Sequence, residues 1–535
     1  MCGIFLIVSR SGEYSDVEMQ RVTDAHLALQ PRGPDMSRLT QHGSAIFAFT
    51  RLAINDLSPH GMQPFETDSN LTMCNGEIYN YHELVQTYGP VLKSRSDCEV
   101  LPHLFKQLGF AKSLEILDAV FATCYYNRTD NRIYFARDRF GVKPLFVGMS
   151  PNFFAVASEA KALEAFGFDS IQPLPPTEYG VFYIDRFQCI FHPSPVAFSP
   201  SSPTLPSVET RKDMTTESKE VAELLRAAVR KRITSDREIG CLLSGGLDSS
   251  LVASILSAEL AKHGQKLHTF SVGFPDSTDI TYARKVAEHI HSEHHELILQ
   301  YPDAIARIPD VIRATETYDT TTVRASTPMF LLCEWIKENF PHRVIFSGEG
   351  SDELFCGYLY FHLAPDADQA QKDSWRLLRE LWKYDVLRAD RCTAANGLEF
   401  REPFLDRDLI KYVTNEVPAE LITPRDGFEK YLLRAGFSDT DLPREVLWRR
   451  KAAFSDAVSS GEKPWFRWIQ EHVAEHHQDC EATATQTAES VYYHSIFQHN
   501  FQTYRPQIPL WLPRWTDVGA EPSATVLSVW NKTEH

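Results

Sequence analysis

The sequence predicts two units of different class. The first is an α+β N-terminal domain, an antiparallel β-sandwich layered with helices. The second is an α/β C-terminal domain, a parallel sheet with helices on both faces. Three observations carry this. The apolar pattern changes period part-way along the chain. A stretch at 192–216, with prolines at 193, 195, 200, 203 and 206 and many Ser and Thr, has no apolar periodicity and reads as a linker. The 535 residues give each unit enough chain to bury its own core. The boundary is placed near 205, giving domains 2–205 and 206–535.

Before the boundary the apolar stretches are short. They fall at 45–49, 71–74, 119–126, 132–136, 145–148 and 153–157. Asn75-Gly76, the Thr-Asp-Asn at 129–131 and Gly141 read as turn signals between them, so the stretches predict antiparallel strands. A helix is expected at 99–108. After the boundary, helical periods at 221–233, 249–262, 280–291 and 303–315 alternate with apolar strands at 239–243, 267–274, 295–299 and 343–347. Such alternation predicts a parallel sheet. Beyond about 365 the chain reads as mainly helical and rich in Trp.

Composition narrows the function. Apolar residues at 43% and charged residues at 23% exclude wholesale disorder. A formal net charge of −17 repels phosphate backbones, so nucleic acid is not an expected partner, although a local basic pocket can still hold a small anion. No apolar run approaches the roughly 18 residues of a membrane span. The start lacks a basic, apolar leader. Ten cysteines stand singly, without a C-x-x-C pair, which fits a reducing, cytoplasmic setting. The sequence does not fix the oligomeric state and leaves a homodimer open.

Cys2 follows the initiator Met. Once Met1 is removed, one residue carries both a thiol and an α-amine, whose pKa of about 7.7–8.0 lets it serve as base for its own thiol. Asn75, Gly76 and Glu77 offer an amide, a backbone N–H and a carboxylate together, and Arg51 can pair with a carboxylate. Glu77 and Asp97 could bind an ammonium. These residues lie in six runs: Met1-Cys2-Gly3-Ile4, Arg32-Gly33-Pro34-Asp35, Arg51-Leu52-Ala53-Ile54, Asn75-Gly76-Glu77-Ile78-Tyr79-Asn80, Ser96-Asp97, and Arg137-Asp138-Arg139-Phe140-Gly141-Val142-Lys143-Pro144-Leu145. In order and spacing they closely resemble the class II glutamine amidotransferase domains, which are N-terminal nucleophile hydrolases. The resemblance implies that Cys2 attacks the amide of L-glutamine and that Asn75 and Gly76 form the oxyanion hole. It also implies that Arg51 holds the substrate α-carboxylate, Glu77 and Asp97 its α-amine, and Leu52, Ala53, Ile54 and Asn55 the rest. Pro31 and Asn55 depart from the family pattern, and Asn55 stands in the substrate-binding run.

The strand at 239–243 runs into Ser244-Gly245-Gly246-Leu247-Asp248-Ser249-Ser250 and then a helix. Two glycines let the backbone approach an anion, and a helix N-terminus favours negative charge. There is no GxxxxGK[ST] here. Asp248 would repel a phosphate unless a divalent cation lay between them, which points to Mg²⁺. The string resembles the pyrophosphate loop of the ATP-pyrophosphatase family. Later runs resemble, in order, the synthetase domain of the glutamine-hydrolysing asparagine synthetases. They include Phe346-Ser347-Gly348-Glu349-Gly350-Ser351-Asp352-Glu353, Tyr384-Asp385 with Arg388, Pro403-Phe404-Leu405-Asp406, and Lys451. The resemblance implies an adenine nucleotide α-hydrolase-like fold, with ATP as substrate and Mg²⁺ as cofactor. It puts Leu242, Val272, Ser347 and Gly348 on the adenosine, and Ser244, Gly245, Gly246, Asp248 and Ser249 on the pyrophosphate. Asp248 and Asp352 would bind the metal, and Glu349 and Lys451 would be catalytic. Glu353, Asp385 and Arg388 would border the L-aspartate pocket. Leu363 and Glu402 depart from the pattern, the latter standing where the family usually has an apolar residue.

The resulting expectation is that glutamine, aspartate, ATP and water give asparagine, glutamate, AMP and diphosphate, through β-aspartyl-AMP. Ammonium is no nucleophile, so the ammonia would cross between sites by a sheltered passage. Two alternatives stay open: a ligase of the same architecture acting on another carboxylate, and a catalytically inactive regulatory homologue. His472, Glu475 and His476 spell a zinc-type H-x-x-E-H, but on a polar helix without a third ligand. His289, His291, His294 and His295 likewise read as a helix end leading into a strand.

Overall fold

The computed structural model describes all residues except 201–212, 452–453, 460–462, 484, 507, 517–518, 528 and 530–535. The expected boundary near 205 therefore lies outside the described residues.

The first unit contains twelve strands: β1 (Gly3–Ser9), β2 (Met36–His42), β3 (Ala45–Arg51), β4 (Phe65–Thr67), β5 (Asn70–Ile78), β6 (Ala119–Asn127), β7 (Arg132–Arg137), β8 (Phe146–Met149), β9 (Phe153–Ala157), β10 (Ser170–Pro173), β11 (Glu178–Tyr183) and β12 (Gln188–Pro193). They form two antiparallel sheets, ordered β10-β8-β9-β1-β3-β2 and β12-β11-β7-β6-β5-β4. Strand side chains alternate between faces. Ile4, Leu6 and Val8 of β1 therefore enter the core between the sheets, with Phe47, Phe49, Met73 and Phe135. Phe5 and Ile7 face the other way, onto Val22, Ala25 and Leu29 of the helix at Asp16–Ala28 and its C-cap. Burial on both faces explains the uninterrupted apolar run of β1 and fixes the residue before it, Cys2.

One turn expectation is corrected. Asn75-Gly76 lies inside β5, paired with Ala122 and Phe121 of β6. Glycine is required there by close approach: a Cβ on Gly76 would come within 2.2 Å of the Val120 carbonyl. The turns at 129–131 and Gly141, the latter with φ of +60°, are present as expected.

The second unit carries a parallel sheet of β13 (Ile239–Leu242), β14 (His268–Gly273), β15 (Glu293–Ile298), β16 (Val344–Phe346) and β17 (Glu399–Arg401), ordered β15-β14-β13-β16-β17. The chain winds outward in both directions from β13, so a crevice opens beyond the carboxyl ends of β13 and β16. The loops at 243–246 and 347–350 occupy that crevice. β17 lies in the stretch read as helical; three residues between a glycine turn at Gly397 and Pro403 are too few for a period. The helix expected at 303–315 is two, Tyr301–Ala306 and Ile308–Thr315. Pro309 has no N–H to donate to residue 305, which ends the first.

Buried ion pairs lock the units together. Arg32 pairs with Glu159 at 2.7 Å and with Asp390 of the second unit at 2.9 Å. Arg401 at the end of β17 reaches Glu77 of β5 at 3.3 Å. Such pairs contribute little net stability but are costly to break, so they fix the relative placement of the units.

Candidate active sites

The end of β1 places Cys2 against β5. The Cys2 N–H donates to Asn75 Oδ1 at 2.8 Å, and its thiol donates to the Leu52 carbonyl at 3.7 Å. Orienting the Asn75 amide this way leaves its Nδ2 buried with no hydrogen-bond partner among the described residues. A buried donor held without a partner beside a nucleophile is what a developing oxyanion needs. Burial pushes the Cys2 thiol up, so it requires a base. In the unprocessed chain Met1 is buried, its Sδ 3.0 Å from Lys143 Nζ, and burial lowers its amine to about 6. Only the loss of Met1 gives the Cys2 nitrogen a basic lone pair beside the thiol.

Arg32 fixes the same corner, its Nε donating to the Cys2 carbonyl at 2.9 Å. Arg51, at the end of β3, is buried and donates to the carbonyls of Ser58 at 2.7 Å and Asn55 at 3.2 Å. Among the described residues no carboxylate lies within ion-pair distance of it, so its charge is left for a ligand. Asn55 takes on a definite role: its Nδ2 donates to Glu77 Oε2 at 2.8 Å and to Asp97 Oδ1 at 3.4 Å. Burial, together with the neighbouring Asp97, raises Glu77 well above the usual carboxylate range, and burial raises Asp97. Two such acids beside a site favour an incoming ammonium. Glu77 is also tied to Arg401, a partner that sequence reasoning missed because it arrives from 324 residues away.

In the second unit one open cleft lies beyond β13 and β16. It is lined by Leu242, Ser244, Gly246, Asp248, Ser249, Val272, Ser347, Gly348, Glu349, Asp352, Glu353, Asp385, Arg388 and Lys451. All the expected residues of this half are thus brought together except Gly245, which backs the loop instead. Gly245 has φ of +71°, a Cβ there would meet Ala283 N at 2.4 Å, and its carbonyl accepts from Arg449 at 3.0 Å. The helix Leu247–Ala261 points its N-terminus at the loop, and Ser244 and Ser249 hydroxyls lie 3.0 Å apart.

Asp248 and Asp352 face one cation. Lys430, 2% exposed, pairs with Asp248 and lies 2.6 Å from Asp352 Oδ1, while Lys451 lies 2.6 Å from Asp352 Oδ2. Burial alone would push Asp352 up, but the two ammoniums hold it well below the usual range. Ser351 donates to the other oxygen of Asp248 at 2.8 Å. Sequence reasoning missed Lys430. It stands at φ of +55°, outside any motif, and no local pattern marks it. At the far end, Arg388 bonds Glu349 at 2.7 Å and Asp385 at 2.9 Å. Tyr358, also missed, donates to Glu353 at 2.5 Å and Asp385 at 3.1 Å. Burial raises Glu349 and Glu353.

The histidines set aside earlier stay apart from both sites. His472 and His476 stack at 4.5 Å on the helix Trp465–His476. His295 joins an aromatic stack with His268, Phe270 and Phe340 at the sheet edge, with His268 and Glu293 close enough to share an ion.

The chain matches two family models: one described as a glutamine amidotransferase domain, over residues 1–172, and one described as asparagine synthase, over 220–381 and 363–518. Curated relatives cover it almost end to end. The asparagine synthetase [glutamine-hydrolyzing] of Gallus gallus is 39% identical over 98% of each chain. Those of Bos taurus and Homo sapiens are each 39% identical over 99% of each chain. Among solved structures, the glutamine phosphoribosylpyrophosphate amidotransferase of B. subtilis is 18% identical, with a TM-score of 0.31 over 56% of this chain and 81% of that one.

Proposed function

This chain belongs to the glutamine-hydrolysing asparagine synthetases, and from that premise we propose how its residues divide the reaction. The enzyme makes asparagine from aspartate, drawing the amide nitrogen from glutamine and using ATP. The division we propose assigns glutamine hydrolysis to residues 2–205 and aspartate activation to 206–535. The observation that carries it is the pairing of a Cys2–Asn75 corner in one unit with a cleft in the other that gathers Asp248, Asp352, Lys430 and Lys451.

In the first site the α-amine of the mature Cys2 takes the thiol proton and the sulfur attacks the glutamine amide. Asn75 Nδ2, with the Gly76 backbone, stabilises the oxyanion. Arg51 holds the substrate α-carboxylate, and Asp97 with Glu77 receives its α-ammonium, while Leu52, Ala53, Ile54 and Asn55 wall the pocket. Ammonia leaves and water releases glutamate from the thioester.

In the second site Leu242, Val272, Ser347 and Gly348 seat the adenosine, and Ser244, Gly246 and Ser249 receive the pyrophosphate. The aspartate β-carboxylate attacks the α-phosphorus and diphosphate departs. Lys451 and Lys430 offset the charge on the phosphoryl oxygens. Ammonia then adds to the β-aspartyl-adenylate and AMP leaves. The attacking nitrogen must lose a proton, and Glu349, raised by burial, can accept it. Arg388, Asp385 and Glu353 select the aspartate head group.

The donor set suits Mg²⁺. Asp248 and Asp352 present hard carboxylate oxygens beside the phosphate loop, each oxygen keeping a further lone pair. Bound there, the ion would supply charge neutralisation on the departing diphosphate. Ten free cysteines support a reducing, cytoplasmic setting, and no helix among the described residues is long and apolar enough to cross a membrane.

A panel of carboxylic acids tests the acceptor. With ATP, Mg²⁺ and ammonium, diphosphate and AMP should appear with aspartate. Release with a different acid and none with aspartate would contradict the reading.

A further inference from the structure

Glu402 is fully buried, and neither of its carboxyl oxygens has a hydrogen-bond partner among the described residues. Buried polar groups are nearly always partnered, so a carboxyl left bare on both oxygens calls for a ligand or a proton. It is also no isolated defect. The Tyr79 hydroxyl and Arg232 Nε, which belong to the same electrostatic neighbourhood, are buried and unpartnered too.

Its position is the seam between the two sites. Glu402 follows Arg401, whose side chain reaches Glu77, two residues beyond Asn75. The Arg401 carbonyl accepts from Ser347 N at 3.0 Å, two residues before Glu349. One continuous apolar cluster encloses the region. It joins Leu52 and Ile54 on the thiol side to Phe346, Phe400 and Phe404 on the cleft side. A dry wall with a few bare hydrogen-bonding atoms suits a small polar guest better than a side chain.

We propose that Glu402 is a transit site for the nitrogen released at Cys2, binding it as ammonia or ammonium on the way to the adenylate. The inference rests on the two-site reading above. A protonated Glu402 donates to the lone pair of ammonia. An ionised Glu402 accepts from ammonium. The exchange is Glu–COOH + NH₃ ⇌ Glu–COO⁻ + NH₄⁺, and the nitrogen leaves as a nucleophile only when the proton has passed back to the carboxyl.

The balance is set from every side. Burial raises Glu402 to about 7, with Asp138 adding to the rise and Lys143, Arg232 and Arg401 opposing it. The buried Tyr79 phenol stays protonated, because burial and the nearby Glu402 both push it up. Below pH 7 the carboxyl carries a proton that it gives to arriving ammonia, holding the nitrogen as ammonium, and hydrolysis of glutamine outruns synthesis of asparagine. Above it the carboxylate has no proton to give and ammonia passes as the nucleophile.

The test is the ratio of glutamate released to asparagine formed, followed from about pH 6 to about pH 8, in wild type, Glu402→Gln and Glu402→Val. The wild-type ratio should fall by about threefold or more across that range, as a group titrating near 7 changes charge. Both variants should stay flat. Glutaminase activity and ammonium-dependent synthesis, measured alongside, report that each variant is folded. Burial raises Glu349 too, so a fall shared equally by all three proteins would belong to the adenylate site and would overturn the transit site. A flat wild-type profile would overturn it as well. If ammonium-dependent synthesis were absent in wild type, the assignment of the two sites would fail instead.

Discussion

Replacing Cys2 with alanine should abolish asparagine synthesis from glutamine, a loss of about 10⁴-fold or more, while synthesis from ammonium should stay within about twofold. The asymmetry follows from the geometry. Among the described residues the Cys2 sulfur makes one hydrogen bond, to the Leu52 carbonyl, and it is long at 3.7 Å. Deleting it therefore removes chemistry and little packing. The cleft proposed for the adenylate is lined by other residues, and Cys2 is not among them. Product analysis with glutamine and with ammonium chloride, at equal ATP and aspartate, reads both numbers. Loss of both activities would show that the sites are not separable.

The opposite pattern is expected of Lys430→Met. Synthesis from either nitrogen source should fall by about 10²–10³-fold, with glutaminase activity kept. Lys430 is buried between Asp248 and Asp352, 2.6 Å from the latter. Methionine keeps the length of the side chain and removes its charge. Asp352 then depends on Lys451 alone, and Asp248 loses the cation that faces it. Two partly buried like charges then repel and misplace the loop that receives the diphosphate. The retained glutaminase is an internal measure of folding, and a thermal melt separates lost stability from lost chemistry. Unchanged synthesis would remove Lys430 from the site.

The sequence carried the architecture because both sheets write their period into the chain. The alternating Ile4, Leu6 and Val8 and the strand–helix–strand run from residue 239 onward are local signals. Asn75-Gly76 misled for a physical reason. Glycine marks turns through backbone freedom, but here it answers to the Val120 carbonyl across the sheet, which no local reading contains. β17 was too short to register. Most residues of both sites sat in recognisable motifs. Those that were missed reach in from outside them: Arg401 clamps Glu77 across the seam, Lys430 bridges two loops from an isolated position, and Tyr358 joins Glu353 to Asp385. Asn55 and Glu402 stood out as departures, but their meaning depends on neighbours far away in sequence. Asn55 bridges two carboxylates, and the Glu402 carboxyl has no hydrogen-bond partner among the described residues.

The central claim is that nitrogen freed at Cys2 is the nitrogen that enters asparagine, without mixing with the solvent. Glutamine labelled with ¹⁵N in its side-chain amide, supplied together with unlabelled ammonium in the buffer, measures this directly by mass spectrometry of the product. The account predicts that the asparagine amide keeps the label even when outside ammonium is in excess. Label diluted in proportion to that ammonium, while ATP cleavage continues, would contradict it.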